Sequence, residues 1–242
     1  MSFPYTFPII WTRGDPRTGQ RYRGPLNVGV YLTDAFATKV EDITGQIVAL
    51  SWETQLTGKY TLARIDLAVP LGKAWEWAKR RADYGIRIRE GLTVLWEGAV
   101  LDRTLTTGGV ELLCQLDAGS TFAASTALDW RVKRADLLDG SRIVTLHSGV
   151  ATAMAEALTI RGRVYTAYGA EAPAWRVRAG HLVRIDDLAP DTALMGAAPT
   201  IDELRTLTAK QTRYDALSDT LTVTPNDESM DIVQQLRRNN IN

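Results

Sequence analysis

Residues 86–116, IRIREGLTVLWEGAVLDRTLTTGGVELLCQL, decide the fold of this chain. Apolar and polar side chains alternate along them, and alternation with period two predicts strands with one buried face and one solvent-facing side. Gly91 and the pair Gly108-Gly109 separate the runs, and glycine tolerates the positive φ that hairpin turns require. The stretch therefore predicts a series of antiparallel strands. Its last run places four apolar side chains on one face: Val110, Leu112, Cys114 and Leu116.

Similar patterns predict further strands on both sides of this stretch. Residues 27–32, 43–52 and 60–69 fit strands, and Pro70 ends the third one. Residues 211–224 fit a hairpin whose turn is the ALSD segment. The sequence is therefore mainly β, with strand signals along most of its length.

Two segments after the central stretch allow other interpretations. Residues 150–160 fit a short helix or a strand about equally well. Residues 175–188 predict a strand, an Ala-Gly turn and a second strand, with Arg176 and Arg178 on a polar face opposite Trp175 and Val177. In this interpretation His181, at the turn, is an exposed histidine.

Helical signals are few. Residues 72–84 predict a helix in which Trp75, Ala78 and Ala82 form the buried face, and Gly85 ends it. Residues 227–238 predict a C-terminal helix with acidic residues at its start and arginines at its end, as the helix dipole favours. Its apolar stripe either docks on the chain's own domain or binds a partner. The stripe consists of Met230, Val233 and Leu236.

The first 25 residues predict an extended arm, because they are rich in proline, glycine and aromatic residues. The arm's aromatic side chains need burial on its own domain or on a neighbouring subunit. The candidate interface anchors are Tyr5, Phe7 and Trp11.

These signals together predict two small antiparallel β-barrel-like or sandwich-like domains with a few short helices and a C-terminal helix. The expected division is an arm at residues 1–25, a first domain at 26–120, a second at 121–226 and the helix at 227–242. The boundary lies near Ser120, where a run of small residues predicts a connection.

Composition narrows the classes of function. The 28 basic and 28 acidic residues give a net charge of zero, which speaks against strong binding to nucleic acid or to an acidic membrane. One cysteine excludes an internal disulfide, and with two histidines it excludes the usual structural zinc site. Cys114 is expected to be a buried apolar residue.

The sequence contains no recognisable secretory signal and no apolar run of the length of a membrane-spanning helix. We therefore expect a protein made in the cytoplasm. We also expect it to have no cofactor.

No catalytic motif accompanies the strands: the chain has no P-loop, no HExxH and no GxSxG. Carboxylates that could form an acid–base pair are scattered, at Glu97, Asp102, Asp186 and Asp187. We therefore expect a protein that is not an enzyme.

Four tryptophans could instead serve carbohydrate binding, by forming a platform on which sugars stack. Tryptophans beside strands are more often core or interface anchors. The four are Trp52, Trp96, Trp130 and Trp175. A carbohydrate-binding β module for host glycans is accordingly the alternative function.

Three blocks in order resemble phage tail hub and tail-tip proteins. They are IVALSWETQLTGKYTLARIDLAVP (residues 47–70), YGIRIREGLTVLWEGAVLDRTLTTGGVELLCQLDAG (84–119), and WRVRAGHLVRIDDLAPDTA with IDELRTLTAKQTRYDALSDTLTVTPND (175–193 and 201–227). The order of the blocks is more specific than any one of them.

The resemblance implies a structural virion protein of a phage tail tip or baseplate. Such a protein forms a ring of three or six copies, joins the tail tube to the host-recognition apparatus and surrounds the DNA exit path. Its implied partners are the tail tube, the tape measure and receptor-binding proteins, with DNA passing through and no specific DNA binding. The resemblance implies no catalytic residues.

Overall fold

The computed structural model describes residues 28–34, 39–56, 59–79, 84–116, 143–146, 151–154, 157–166, 168–185 and 206–226. Most of these residues form β-strands, so the predicted fold class, mainly β, is confirmed. None of the helices in this part of the chain is long and apolar enough to cross a membrane. The predicted arm and the predicted C-terminal helix lie outside the described residues.

The chain divides into two units. The first contains Met1–Trp52, Leu62–Ser125 and Ala216–Ser218, and the second contains Glu53–Thr61, Thr126–Asp215 and Asp219–Asn242. The boundary predicted near Ser120 falls in residues 117–142, which lie outside the described part.

The first unit contains an antiparallel sheet with the strand order β2-β1-β5-β6-β7-β4. Its strands are β1 (Val28–Thr33), β2 (Lys39–Asp42), β4 (Lys59–Ala68), β5 (Gly85–Glu90), β6 (Thr93–Thr106) and β7 (Gly109–Gln115). Two strands continue into the second unit: β3 (Ile47–Gln55) and the first residues of β4. The strands predicted at 27–32, 43–52 and 60–69 are therefore present within a few residues of the expected bounds.

The central stretch forms the three predicted strands. Ile86 and Ile88 are buried, while Arg87 and Arg89, which alternate with them, are partly exposed. Gly91 turns between β5 and β6 with φ +58°, as predicted. Val110 and Leu112 are buried on one side of β7 with the Cys114 thiol. Period-two alternation thus sets the inward side of this sheet.

Close packing explains the WEG segment in β6. A β-carbon at Gly98 would lie 2.6 Å from Cη2 of Trp96 and 2.8 Å from the carbonyl oxygen of Gln115. The indole of Trp96 therefore covers the glycine two residues further along the same strand face. Tyr31 covers Gly29 on β1 in the same way.

The helix predicted at 72–84 is present as α1 (Leu71–Lys79), but its predicted buried face is wrong. Ala74 and Trp77 are the buried residues, whereas Trp75 and Ala78 point outward. The reason is that both sets are apolar at helical spacing, so the pattern alone does not choose between them. Gly85 is the first residue of β5, and residues 80–83 are not described.

The second unit contains the strand order β9-β10-β15-β14-β13-β8-β11-β12, in which the β13–β8 pair is parallel and the other pairs are antiparallel. The strands are β8 (Ile143–Leu146), β9 (Ala151–Met154), β10 (Ala157–Arg161), β11 (Arg163–Thr166), β12 (Glu171–Pro173), β13 (Leu182–Ile185), β14 (Thr206–Asp215) and β15 (Thr220–Pro225). Residues 150–160, left open between helix and strand, contain β9 and most of β10.

The predicted hairpin at 211–224 is also present. Residues 216–219 form its turn between β14 and β15. Asp219 has φ +48°, and its carboxylate accepts a hydrogen bond from the Tyr214 hydroxyl at 2.6 Å. This bond fixes the turn residue that carries the unusual backbone conformation.

The interpretation of 175–188 is wrong in its first half. Trp175 lies in a 3₁₀ helix, Ala174–Arg176, and Leu182–Ile185 is the only strand among the described residues of this segment. Arg178 is not on a polar face, since only 1% of it is exposed, and His181 is fully buried. Both were expected at the surface because they flank a turn, but polar partners hold them in the interior.

Candidate functional site

Of the candidate catalytic carboxylates, the two in the described part of the chain, Glu97 and Asp102, do not form an acid–base pair. Glu97 is 3% exposed, and its Oε2 accepts a hydrogen bond from Nε of Arg87 and forms a salt bridge with Nη2, each at 2.9 Å. Asp102 is exposed on the far half of β6, where its carboxylate caps the amide of Arg103 at 2.7 Å. Asp186 and Asp187 lie outside the described residues. Glu97 therefore joins β5 to β6, which is a structural role.

The Arg87–Glu97 pair belongs to a polar row across four strands. The register places Asp42, Tyr31, Arg87 and Glu97 directly beside one another on β2, β1, β5 and β6. Lys39 lies 4.3 Å above the Tyr31 ring and 3.5 Å from the Asp42 carboxylate. Contacts between opposite charges and a cation–π contact therefore link neighbouring strands in this row.

A buried polar cluster orders the segment between the 3₁₀ helix and β13 in the second unit. The Arg178 amide donates to Nδ1 of His181 at 3.1 Å, so Nδ1 carries no proton there. The Arg178 guanidinium donates to the Tyr60 hydroxyl at 3.4 Å. The cluster holds the turn against the first residues of β4.

A second buried contact in the same unit joins β3 to β14. The hydroxyl oxygens of Thr54 and Thr212 are 2.6 Å apart, and Thr54 Oγ1 also accepts from the Ala179 amide at 3.0 Å. Each of these residues is buried. No local sequence pattern indicated either polar cluster, since 125 residues separate Thr54 from Ala179.

The single cysteine is buried, as expected. Burial raises the pKa of the Cys114 thiol well above its usual range, and nearby Arg103 lowers it by a smaller amount. The thiol is therefore neutral and packs as an apolar group. Within the described ranges, no group of three or more potential metal ligands is present.

The three tryptophans of the possible sugar platform that the structure describes do not share an exposed surface. Trp52 and Trp96 are buried in the core of the first unit, and Trp175 is half-buried with its ring 5.9 Å from that of Tyr214. Trp130 lies outside the described residues.

Two exposed surfaces of the first unit lie on opposite sides of its sheet. The first is the helix stripe, which we define as Leu71, Trp75 and Ala78 on the outward side of α1. Leu71 is 70% exposed and Trp75 is 53% exposed, which is unusual for such large apolar side chains.

The second surface is the acidic face, formed by one side of β4, β7 and β6. The register places its members in cross-strand rows, since directly opposed residues share a face. Leu62, 39% exposed, lies at its end. Its charged members are Arg64, Asp66, Asp102 and Glu111.

The candidate interface residues predicted at the two ends of the chain are not among the described residues. They are Tyr5, Phe7, Trp11, Met230, Val233 and Leu236. Sequence reasoning missed the helix stripe as an exposed surface, although it did single out Trp75 and Ala78. The sequence signal that could have indicated this surface is the width of the apolar side of α1, which is greater than the part of a helix that one sheet can cover.

Comparisons of the chain with protein-family models, with curated proteins and with solved structures gave no match.

Proposed function

We propose that this chain is a structural virion protein of the tail tip or baseplate of a tailed phage, made in the host cytoplasm. It forms a ring that links the tail tube to the host-recognition apparatus and surrounds the DNA exit path. In this proposal the chain has two small barrel-like or sandwich-like domains and a C-terminal helix, and it carries no catalytic site.

The observation that carries the proposal is the exposed apolar surface of the first unit. Its helix stripe exposes a leucine and a tryptophan on a regular element, beside a sheet whose other side is solvated. Exposed apolar residues clustered on rigid elements are typical of protein–protein contacts. A subunit of an assembly has such surfaces, and its neighbours cover them.

The buried polar groups support the same proposal, because the contacts described above for each one are structural. Glu97 joins two strands, His181 accepts from a backbone amide, and Cys114 packs in the core. Side chains fixed in this way stiffen a scaffold and offer no accessible nucleophile or base.

The resemblance of the three sequence blocks supplies the class of assembly. Under this proposal the arm clasps a neighbouring subunit through Tyr5, Phe7 and Trp11, and the C-terminal stripe, Met230, Val233 and Leu236, binds a further partner. Deletion of residues 1–20 is expected to weaken assembly, and unchanged assembly would contradict the clasp.

Zero net charge supports passage of DNA without tight binding, because strong binding depends on neutralising phosphates with clustered basic residues. We expect no shift of DNA fragments in gels at physiological salt. A tight, salt-sensitive complex would contradict this part of the proposal.

The experiment that tests the proposal is the mass of the purified chain in solution, with negative-stain images of the same fraction. A closed ring of three or six copies is expected, with three copies fitting a hub and six an adjacent ring. A monomer that also fails to bind tail-tube, tape-measure or receptor-binding proteins would contradict it.

A carbohydrate-binding module remains a second candidate, because two exposed tyrosines lie close together in the sequence of the second unit. Tyr165 is on β11, and Tyr168 is in the turn that follows. Tyrosine rings at a surface can stack on sugars. Quenching of aromatic fluorescence by a glycan panel, lost in the Tyr168→Ala variant, would favour this function over the first.

A further inference from the structure

The apolar side of α1 is wider than the part that its own unit buries. Ala74 and Trp77 face inward, and the helix stripe continues the same apolar arc, which spans roughly 160° of the helix. A helix that packs only on its own sheet needs a narrower stripe. The remaining half of the arc, Leu71 and Trp75 above all, is left at the surface.

The position of α1 fixes which side of the sheet this stripe occupies. The Arg103 guanidinium donates to the carbonyl oxygen of Trp77 at 3.4 Å, so α1 lies on the side of the sheet that Arg103 faces. Arg103 is directly opposite buried Leu112 and shares its face. The acidic face contains the alternate residues, so it lies on the other side of the same strands.

The two surfaces differ in charge. On the acidic face three carboxylates accompany one guanidinium, and Arg64 is bound to Glu111 at 2.9 Å. Lys79 is exposed in the last turn of α1, next to the helix stripe, whereas Lys73 and Glu76, which are exposed elsewhere on the helix, offset each other in charge. The charged residue that borders the helix stripe is therefore basic, whereas the sheet face is acidic, and each surface has an exposed leucine, Leu71 or Leu62, for apolar contact.

From this complementarity we infer that the helix stripe of one copy docks on the acidic face of a second copy of this chain. The inference rests on the proposed function and specifies its subunit contact. Because the two surfaces lie on opposite sides of one sheet, the contact is heterologous: each copy binds one neighbour through α1 and another through β4, β7 and β6. Repetition of such a contact closes into a ring when the rotation per subunit permits.

Two surface variants of the full chain test this contact. The stripe variant combines Leu71→Ser with Trp75→Ser, and the face variant combines Leu62→Lys with Asp102→Lys. All four side chains are exposed, so none of them contributes a buried contact to the core of the unit. Leu92→Ser is the matched control, because this exposed leucine is in the β5–β6 turn and belongs to neither surface.

The measurement is mass by light scattering after size exclusion, for each variant alone and for an equal mixture of the two. Each variant alone should associate at least about tenfold more weakly than the wild type, while the Leu92 control should assemble normally. The mixture should form a one-to-one heterodimer and nothing larger, since each variant retains one intact surface.

Other outcomes overturn the inference in distinguishable ways. If the wild type forms rings and either variant alone also forms rings, this contact is rejected, while the proposal that the chain forms a ring still stands. A mixture that stays monomeric, or a wild type that stops at a symmetric dimer, would reject the heterologous contact. A wild type that stays monomeric at every concentration would reject both this contact and a ring built from this chain alone.

Discussion

Gly98 is a position at which the packing of the first unit leaves no room for a side chain. The added methyl group of the Gly98→Ala variant would meet the ring of Trp96 at 2.6 Å and the backbone carbonyl of Gln115 at 2.8 Å. Trp96 is fully buried, so its ring has no free space into which to rotate. The Gln115 carbonyl belongs to β7, which pairs with β6, so its displacement would distort the ladder.

Overpacking of a rigid core typically lowers the free energy of unfolding by about 1–3 kcal/mol. Because both groups that the added methyl group would meet are held in place, Gly98→Ala should lower it by about 3 kcal/mol. With a urea slope of about 2 kcal/mol/M, the unfolding midpoint should fall by roughly 1.5 M. Tryptophan fluorescence during urea unfolding measures this shift. In a Trp96→Ala background the same substitution should cost less, because one of the two obstructing groups is gone.

Gly72→Ala is the matched control, since a β-carbon at this helical position meets nothing within 4 Å. It should leave stability unchanged or raise it by about 0.5 kcal/mol, because alanine favours the helix. Equal midpoints for Gly98→Ala and the wild type would refute the packing argument for the WEG segment.

Three further changes test the polar and thiol groups. Glu97→Gln should lower the free energy of unfolding by about 2 kcal/mol, because it removes the negative charge that faces the half-buried Arg87 guanidinium. Glu171→Gln, in an exposed pair, should lower it by about 0.5 kcal/mol or less. Equal losses in urea unfolding would contradict the difference in burial between the two pairs. Thr54→Val should lower the free energy of unfolding by about 2 kcal/mol and Thr212→Val by about 1 kcal/mol, since Thr54 also accepts a hydrogen bond from the Ala179 amide. Thr54→Val should therefore have the lower melting temperature of the two variants, and the reverse order would contradict this network. Because burial raises the pKa of Cys114 above its ordinary value of 9.0, the thiol should not affect stability below that pH, and stability should fall as the pH rises above it in the wild type but not in Cys114→Ala. The native thiol should react with a disulfide reagent only as fast as the chain opens. Rapid labelling of the native protein would contradict the burial of the thiol.

The strands of the first unit were predictable because local rules and tertiary packing agree there. In β4 the buried residues Ala63, Ile65 and Leu67 alternate with polar neighbours, and Pro70 lies just after the strand end. In β5 to β7, glycine marks the turns at which the chain reverses. Period two therefore located both the strands and their inward sides.

The face of α1 was not predictable, because its sequence contains two apolar sets at helical spacing. Trp77 is buried and Trp75 is exposed, although both are tryptophans two residues apart. The choice depends on where β6 and β7 lie, which a local pattern does not encode. The same ambiguity leaves part of the helix's apolar surface exposed, and the inferred subunit contact is built on that surface.

The buried polar cluster of the second unit escaped prediction for a different reason. Arg178 and His181 flank a Gly-containing turn, a setting in which polar residues are usually exposed. Tyr60, which receives a hydrogen bond from Arg178, is 118 residues away in sequence. Long-range partners of this kind leave no periodic signal, so only the folded arrangement shows that both side chains are interior.

The measurement that tests the central claim most directly is the mass of the purified full-length chain by light scattering, across a range of concentrations. A single species of three or six copies, seen as a closed ring in negative stain, is the predicted result. A monomer at every concentration would contradict the claim that the surfaces of this chain assemble with copies of itself.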